Sequence, residues 1–287
     1  MPVLLLLALA VAVVAAARST WSPCGLSMLS SITPLAEQGR GHRFRSTATW
    51  FVVGAVLGGI TIGAAMALAA SGASAVGLST SAALAILTVL ALVTAVSDSR
   101  ILGVTLPGHI RQVNEGWLNQ YRSWVYGAGF GWQIGVGLST FIVTAAVYLM
   151  VVAGALTASP AQALLVGVIF GLVRGLAILL GRSITSPEAL IAFHRRFDAW
   201  REPVRRATIA VQLGVAIVAS VAVWGIGPIP VLVTLVSAAV AVATLRTASD
   251  LRSVIDAPAP TPDTAPLRPS RGLLGMDQRT LQAESTP

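Results

Sequence analysis

The chain has 287 residues, of which 55% are hydrophobic and 10% charged, whereas a typical soluble domain has about 45–50% apolar and about 25% charged residues. So few charged side chains cannot cover the surface of a soluble globule, and the mean hydropathy is +0.80. The composition therefore indicates a multi-spanning membrane protein. All 19 basic residues are Arg, against 11 acidic residues, and they lie mostly between the apolar stretches. This pattern indicates orientation in a bilayer and no nucleic-acid partner.

Seven stretches are apolar and long enough to cross a bilayer, which takes about 20 residues. The first is overlong and interrupted. The last two are joined by a Gly- and Pro-rich turn, which predicts a tight hairpin. We expect an all-α polytopic membrane helix bundle with about seven crossings. The stretches are 3–35, 48–70, 79–97, 125–152, 161–181, 207–227 and 229–245.

The first stretch has a second interpretation, because the run from Ala15 to Ala17 resembles the cleavage site of a signal peptide. However, no basic segment precedes it, and apolar residues resume after Trp21. We interpret it as a crossing.

The domain organisation follows from these stretches. We expect a first membrane repeat at 1–97, a cytoplasmic connection at 98–124, a second repeat plus one extra crossing at 125–247, and a disordered Pro-rich tail at 248–287. Within the second repeat, apolar residues recur every three or four positions over 188–206. That spacing predicts an amphipathic helix on the inner membrane surface.

An internal repeat is carried by two Gly-Leu-Ser triplets, at 25–27 and 137–139. Gly54 follows the first triplet's glycine after 29 residues, and Gly167 follows the second after 30. With three crossings in each copy, the second copy must be inverted, as in many transporters. Such folds place their site near the membrane midplane, where helices are broken.

The two anchor segments of this repeat are candidates for the site. Pro23 precedes Cys24 in the first segment, and Gly135 and Gly137 flank Val136 in the second. The alignment pairs Val136 with Cys24. We expect these two residues to face each other and the neighbouring Pro and Gly residues to line a cavity.

Two arginines, Arg18 and Arg174, lie within apolar stretches, and charge inside a membrane marks a functional site. Arg174 is eight residues from Arg182, so we expect its side chain to extend toward the inner face. If both arginines instead line the central cavity, an anionic solute is the natural substrate class.

Acidic residues and histidines are predicted to lie outside the crossings, with Asp98 at an edge. This distribution argues against a carboxylate-driven pump, paired acid–base catalysis and a metal site. We expect no metal and no cofactor.

The apolar N-terminal run that leads into Ser22-Pro23-Cys24, the broken first helix, the basic second connection and the Gly-rich start of the second repeat resemble the CcdA/DsbD transmembrane family. Its members are thiol-disulfide electron carriers of cytochrome c biogenesis. The resemblance covers about residues 1–225. It implies that Cys24 is a redox thiol that exchanges electrons with thioredoxin-like partners. The family's second cysteine is missing, and Val136 stands at the aligned position.

Two functions fit these observations. The first is transfer of reducing equivalents across the membrane through Cys24 and a partner thiol. The alternative is a small-solute permease that uses the same inverted-repeat scaffold without redox activity.

The distribution of Arg predicts the orientation, because short Arg-rich loops stay cytoplasmic and the connections at 71–78, 153–160 and 226–230 carry no charge. We expect a bacterial plasma-membrane protein with its N-terminus outside and its C-terminus in the cytoplasm.

Reporter fusions test this orientation. Fusions after Ser74 and Ala158 should report an external location, and a fusion after Pro260 should report a cytoplasmic one. An external Pro260 fusion would mean that one of the last two stretches does not span.

Overall fold

The computed structural model describes residues 2–101, 116–138 and 142–255, without the side chains of Asn119 and 247–255. In these ranges every regular element is a helix, and six helical segments are long and apolar enough to cross a membrane. The expected all-α polytopic bundle is confirmed. The elements are α1 (Pro2–Ser19), α2 (Pro23–Ser31), α3 (Pro34–Gly39), α4 (Phe44–Ala75), α5 (Thr80–Ser99), α6 (Trp117–Gln120), α7 (Ser123–Val136), α8 (Ala146–Leu156), α9 (Pro160–Leu176), a 3-10 helix (Ala177–Ser183), α10 (Pro187–Ala199), α11 (Arg201–Trp224) and α12 (Pro228–Ile255).

The chain divides into two compact units, Met1–Thr247 and Ala248–Pro287. The first unit contains the helix bundle. In the second, α12 continues through Ile255, so the segment at 248–255 is helical and the tail predicted from 248 starts too early. The rest of that predicted tail lies outside the described residues.

The first apolar stretch is broken, as expected, and local chemistry explains where. At the start of α2 the Ser22 hydroxyl accepts a hydrogen bond from the Gly25 amide at 3.0 Å. Pro23 occupies the first turn, where a missing N–H removes no helical hydrogen bond. Thr33 and Pro34 repeat this arrangement at the start of α3.

The predicted fourth crossing, 125–152, is not one helix. It contains α7 and α8, which have 14 and 11 residues and are each shorter than a membrane crossing. The α7 helix ends at Gly137, whose φ of +77° favours glycine. The number of crossings therefore stays a prediction, because the six spanning segments do not include this stretch.

The last two apolar stretches are both helical, in α11 and α12. The turn between them contains Gly225, with a φ of +65°, and Pro228 starts α12. Both segments are long enough to span, as the predicted hairpin requires.

The predicted amphipathic helix at 188–206 is too long at its C-terminal end. The α10 helix stops at Ala199, and the following residues belong to α11. Its aromatic face also packs against protein, since the Phe197 ring stacks on Trp21 at 4.5 Å. The Trp21 indole N–H donates to the Phe197 carbonyl at 2.8 Å, and the Ser30 hydroxyl bonds His194 at 2.9 Å. A part of α10 is thus fixed to the α1–α2 region.

The bundle is organised around α4, which packs along both α7 and α9 through glycines. A Cβ atom on Gly54 would lie 2.0 Å from the Ala128 carbonyl oxygen, and one on Gly131 would lie 2.0 Å from that of Phe51. On the other side, a Cβ on Gly59 would lie 2.4 Å from the Gly167 oxygen. Small residues allow this close approach of membrane helices.

Several helix pairs hold the bundle together. The α4 helix packs on α7 and α9, α1 packs on α8, α9 and α11, and α5 packs on α11. The inverted repeat stays a prediction.

Glycine contacts in α4 should dominate the stability of the bundle. We expect Gly54→Ala to lower the free energy of unfolding by about 1–3 kcal/mol, because its Cβ meets backbone that cannot move aside. The matched control is Gly72→Ala in the same helix, where no atom lies within 4 Å. It should be neutral or slightly stabilising. Thermal unfolding in detergent measures both variants, and equal effects would contradict the close-packing account.

Candidate functional site

A small, partly open cavity lies where the break between α1 and α2 meets α4, α7 and the end of α9. Its volume is about 10 Å³, which is room for about one water-sized group. The walls are mainly apolar and include Met28, Leu29, Phe51 and Ile134, together with Gly25 in the first turn of α2. The one charged side chain in this lining is Arg174.

The guanidinium of Arg174 is deeply buried, because the residue is only 3% exposed. Its carbon Cζ lies 5.6 Å from the centre of the Phe170 ring, which gives a cation–π contact. Nη2 is buried and has no hydrogen-bond partner. The expectation that Arg174 extends to the inner face is wrong, since the residue is enclosed by helices and lines the cavity.

Helix ends add to the polarity of this apolar site. The C-terminus of α7 lies beside Arg174, because a Cβ on Gly137 would be 3.5 Å from Nη1. The negative end of the α7 dipole therefore partly compensates the buried positive charge. Gly25 must be glycine because its Cβ would lie 2.3 Å from the Thr20 carbonyl oxygen, and this contact holds α2 against the end of α1.

Cys24 is the second residue of α2, and the residue is 1% exposed. It belongs to the same buried cluster as Met28, Phe51 and Ile134, and it interacts electrostatically with Arg174. The thiol is not in a disulfide. It is thus a part of the wall around the cavity and is inaccessible to a large partner in this conformation.

The other predicted site residues lie in different places. Pro23 is exposed and serves to start α2. The backbone of Gly135 packs against Ala55, and the amide of Val136 packs against Gly58. These residues position α7 on α4. The facing of Cys24 and Val136 stays a prediction, and Ile134 is the α7 residue that lines the cavity.

The cavity does not lie at the middle of α4. Gly175, which follows Arg174, packs against Val52, and Val52 is close to the start of a helix that runs from Phe44 to Ala75. The candidate site is therefore nearer the Arg-rich end of α4 than the predicted midplane position.

Arg18, the second intramembrane arginine, is 6% exposed at the end of α1. Its Nη1 atom is buried and has no hydrogen-bond partner. Thr20, two residues later, lines the Arg174 cavity. The structure thus buries both predicted arginines close to the same break.

Glu37 is a buried acidic residue that the sequence interpretation missed. It is 0% exposed and accepts hydrogen bonds from Thr47 and from Tyr126, whose hydroxyl lies 2.8 Å from both carboxylate oxygens. Arg40 forms an ion pair with it at 3.0 Å. The sequence does contain a signal for this position. Thr33-Pro34 starts a helix before the first stretch ends, and Glu37 lies within that helix. The carboxylate joins α3, α4 and α7.

Asp98 also has a larger role than its position at the edge of a crossing indicated. Its carboxylate accepts hydrogen bonds from the Thr144 hydroxyl at 2.6 Å, the Ala145 amide at 2.8 Å and the Gln212 amide at 3.0 Å. It therefore caps the start of α8 and joins that helix to α5 and α11. No group of three potential metal ligands occurs within the described ranges.

A cysteine at Ile134 should react with Cys24. Because Ile134 and Cys24 share one buried cluster, we expect Ile134→Cys to form a disulfide under mild oxidation more readily than Val136→Cys. The disulfide is measured as the loss of thiol labelling in the oxidised and then unfolded protein. The control is Ile134→Cys combined with Cys24→Ala, whose single thiol should stay labelled. If no cysteine from Ile134 to Leu138 crosslinks, the repeat alignment is wrong.

Comparisons with known proteins give two curated relatives, both named methylamine utilization protein MauF. The protein of Paracoccus versutus is 31% identical over 165 residues, which are 56% of this chain and 59% of the relative. That of Paracoccus denitrificans is 32% identical over 180 residues, 59% of this chain and 61% of the relative. The chain thus spans about three fifths of the length of these relatives. No protein-family model and no solved structure matches. The chain is a multi-pass helical protein of membrane type that is similar to MauF.

Proposed function

We propose that this protein is a membrane carrier for small anions, which bind at Arg174. The observation that carries the proposal is the buried guanidinium of Arg174, a residue that lines the cavity and whose Nη2 atom has no hydrogen-bond partner. An uncompensated charge inside a membrane protein is costly and marks a functional site. An anion that accepts a hydrogen bond from Nη2 would supply the missing partner.

The nearest charged and polar groups favour an anion over a cation. Among the ion pairs of the described residues none involves Arg174. Glu37, a carboxylate of the same region, is already engaged by Thr47, Tyr126 and Arg40. The cavity therefore keeps a net positive charge in a low-dielectric setting, where electrostatic selection is strong.

The dimensions and chemistry of the cavity suggest a small monovalent oxyanion. The space is narrow, and the walls of Met28, Leu29, Phe51 and Ile134 offer no further charge. A planar guanidinium binds planar oxyanions such as formate or nitrate through paired hydrogen bonds. A large or multiply charged anion would leave most of its charge without a partner.

The names of the relatives refer to methylamine utilization, and the amine itself fits this site poorly. Methylamine is protonated at neutral pH, and a buried arginine repels a cation. We propose that the chain, if it serves such metabolism, carries an anion and not the amine.

Arg174→Gln should abolish the proposed transport. Labelled formate or nitrate is added outside proteoliposomes that contain the protein, and its uptake is measured. We expect uptake to fall about tenfold or more, because a charge-assisted hydrogen bond contributes about 1.5–3 kcal/mol. Arg182→Gln removes the same charge from an exposed position and is the matched control. The variant should fold, since removing an unpaired buried charge is often stabilising. Equal uptake by both variants, or no uptake by the wild type, would overturn the proposal.

Thiol-disulfide transfer through Cys24 is the second candidate, and the electrostatic interaction between Cys24 and the positive charge of Arg174 favours it. In this reaction the Cys24 thiolate attacks a partner's disulfide, forms a mixed disulfide and releases the other sulfur as a thiolate. A thiolate of a second, dithiol partner then attacks the first partner's sulfur in this mixed disulfide and releases the Cys24 thiolate. The other thiol of the second partner closes that partner's own disulfide and releases the first partner as a dithiol, so the second partner is the reductant.

The same uptake assay separates the two candidates. For an anion carrier, Cys24→Ser should keep most of the uptake, and no mixed disulfide should be trapped in native membranes. A trapped mixed disulfide on Cys24, together with uptake that does not depend on Arg174, would support the redox role instead.

A further inference from the structure

We propose a second anion-binding site at Arg18, on the path between the Arg174 cavity and the Arg-rich end of the bundle. This inference rests on the proposed function, since it extends the same route. It assigns a ligand class, a small oxyanion, to a side chain that the first site does not use.

The guanidinium of Arg18 has the same two properties as that of Arg174. It is 94% removed from solvent, since the residue is 6% exposed, and its Nη1 atom has no hydrogen-bond partner. A buried N–H group without a partner costs about 1–3 kcal/mol. An acceptor that reaches the Nη1 atom would recover that free energy.

The nearest carboxylate does not neutralise Arg18 by direct contact. Asp98 interacts with Arg18 electrostatically, but none of the ion pairs of the described residues joins them. Both oxygens of Asp98 instead accept hydrogen bonds from Thr144, Ala145 and Gln212. These contacts hold the start of α8, so Asp98 is fixed in a structural role.

Charges of both signs surround Arg18. Asp98 acts on it most strongly, and Arg100, Arg201 and Arg205 also act on it electrostatically. Arg205 is paired with Glu202 at 2.7 Å, and Arg201 with Asp198 at 3.2 Å. With Arg18 included, four arginines therefore stand against three carboxylates, and the net charge of this group is positive.

The two arginines lie near the same break. Arg18 is in the last turn of α1, and Thr20, two residues later, lines the Arg174 cavity. Arg174 lies toward the basic end of α4, as its neighbour Gly175 contacts Val52. The proposed second site is therefore next to the first, at the break between α1 and α2.

A second buried atom without a hydrogen-bond partner lies next to Asp98 and bears on the chemistry of the ligand. Gln212 is 0% exposed and gives its amide N–H to Asp98, while its Oε1 atom is buried without a hydrogen-bond partner. Asp98 thus has a free acceptor on Gln212 beside it and interacts electrostatically with Arg18. Bicarbonate, an oxyanion that carries a proton to donate to Gln212, is therefore one probe of the proposed site.

The stoichiometry of binding tests the proposal. Purified full-length protein in nanodiscs is equilibrated with labelled bicarbonate, and in a parallel series with labelled formate. We expect two bound anions for the wild type with at least one of these probes, and one each for Arg18→Gln and Arg174→Gln. None should bind to the double variant. Arg182→Gln is the control and should bind two. Thermal unfolding of each variant verifies that it is folded, and Arg18→Lys, which keeps the charge, should retain part of the second site.

The outcomes separate this inference from the proposed function. If Arg18→Gln binds as many anions as the wild type, while Arg174→Gln binds fewer, the second site is wrong and the first stands. If only Arg18→Gln reduces binding, the Arg18 site stands and the proposed role of Arg174 is wrong. If the wild type binds neither probe, both proposals are overturned.

Discussion

The contact between the glycine-rich face of α4 and two neighbouring helices determines the rest of this structure. Gly54 and Gly59 lie so close to the backbones of α7 and α9 that a single added methyl group would overlap a carbonyl oxygen. In a membrane the lipid chains are as apolar as the protein, so packing of this kind replaces the hydrophobic effect as the source of helix association. The α4 helix therefore fixes the positions of α7 and α9, and these carry Ile134 and Arg174 to the cavity.

Interrupted helices explain why a cavity remains beside α4. The α7 helix ends at Gly137 and α2 starts at Pro23, so the chain changes direction on both sides of the cavity. Where helices are interrupted, backbone groups lose their intrahelical partners, and such backbone is tolerated only in contact with protein or a wet cavity. The breaks thus place Arg174 in protein surroundings rather than in lipid. They let the chain keep a buried charge near the basic end of the bundle.

Much of this organisation could be predicted from the sequence, because composition and breaks act locally. Apolar stretches, the Ser22-Pro23 interruption and the hairpin at Gly225 all correspond to observed helices or turns. The direction of Arg174 could not be predicted, since a position eight residues from Arg182 is compatible with extension to the surface. Its enclosure depends on the distant Phe170 ring and on the end of α7.

Contacts between distant segments account for the other missed features. Glu37 was assigned to a connection because periodicity does not show that Tyr126, 89 positions away, supplies its hydroxyl partner. The aromatic face of α10 was interpreted as membrane-facing, because an amphipathic pattern is the same whether lipid or Trp21 covers it. The split of 125–152 into two helices depends on Gly137, and its left-handed backbone is stabilised by contacts that one sequence cannot reveal.

The balance of buried charges gives the last argument for anion selectivity. The buried carboxylate of Glu37 is engaged by two hydroxyls and Arg40, and the half-buried carboxylate of Asp98 by the start of α8 and Gln212. Both buried arginines instead keep a nitrogen atom without a partner. Stability alone does not favour this asymmetry, because an unsatisfied buried cation is costly and replacement by an apolar side chain is often stabilising. Within the described residues these two carboxylates are paired and a nitrogen of each buried arginine is not, which is why we propose an anionic acceptor as the ligand.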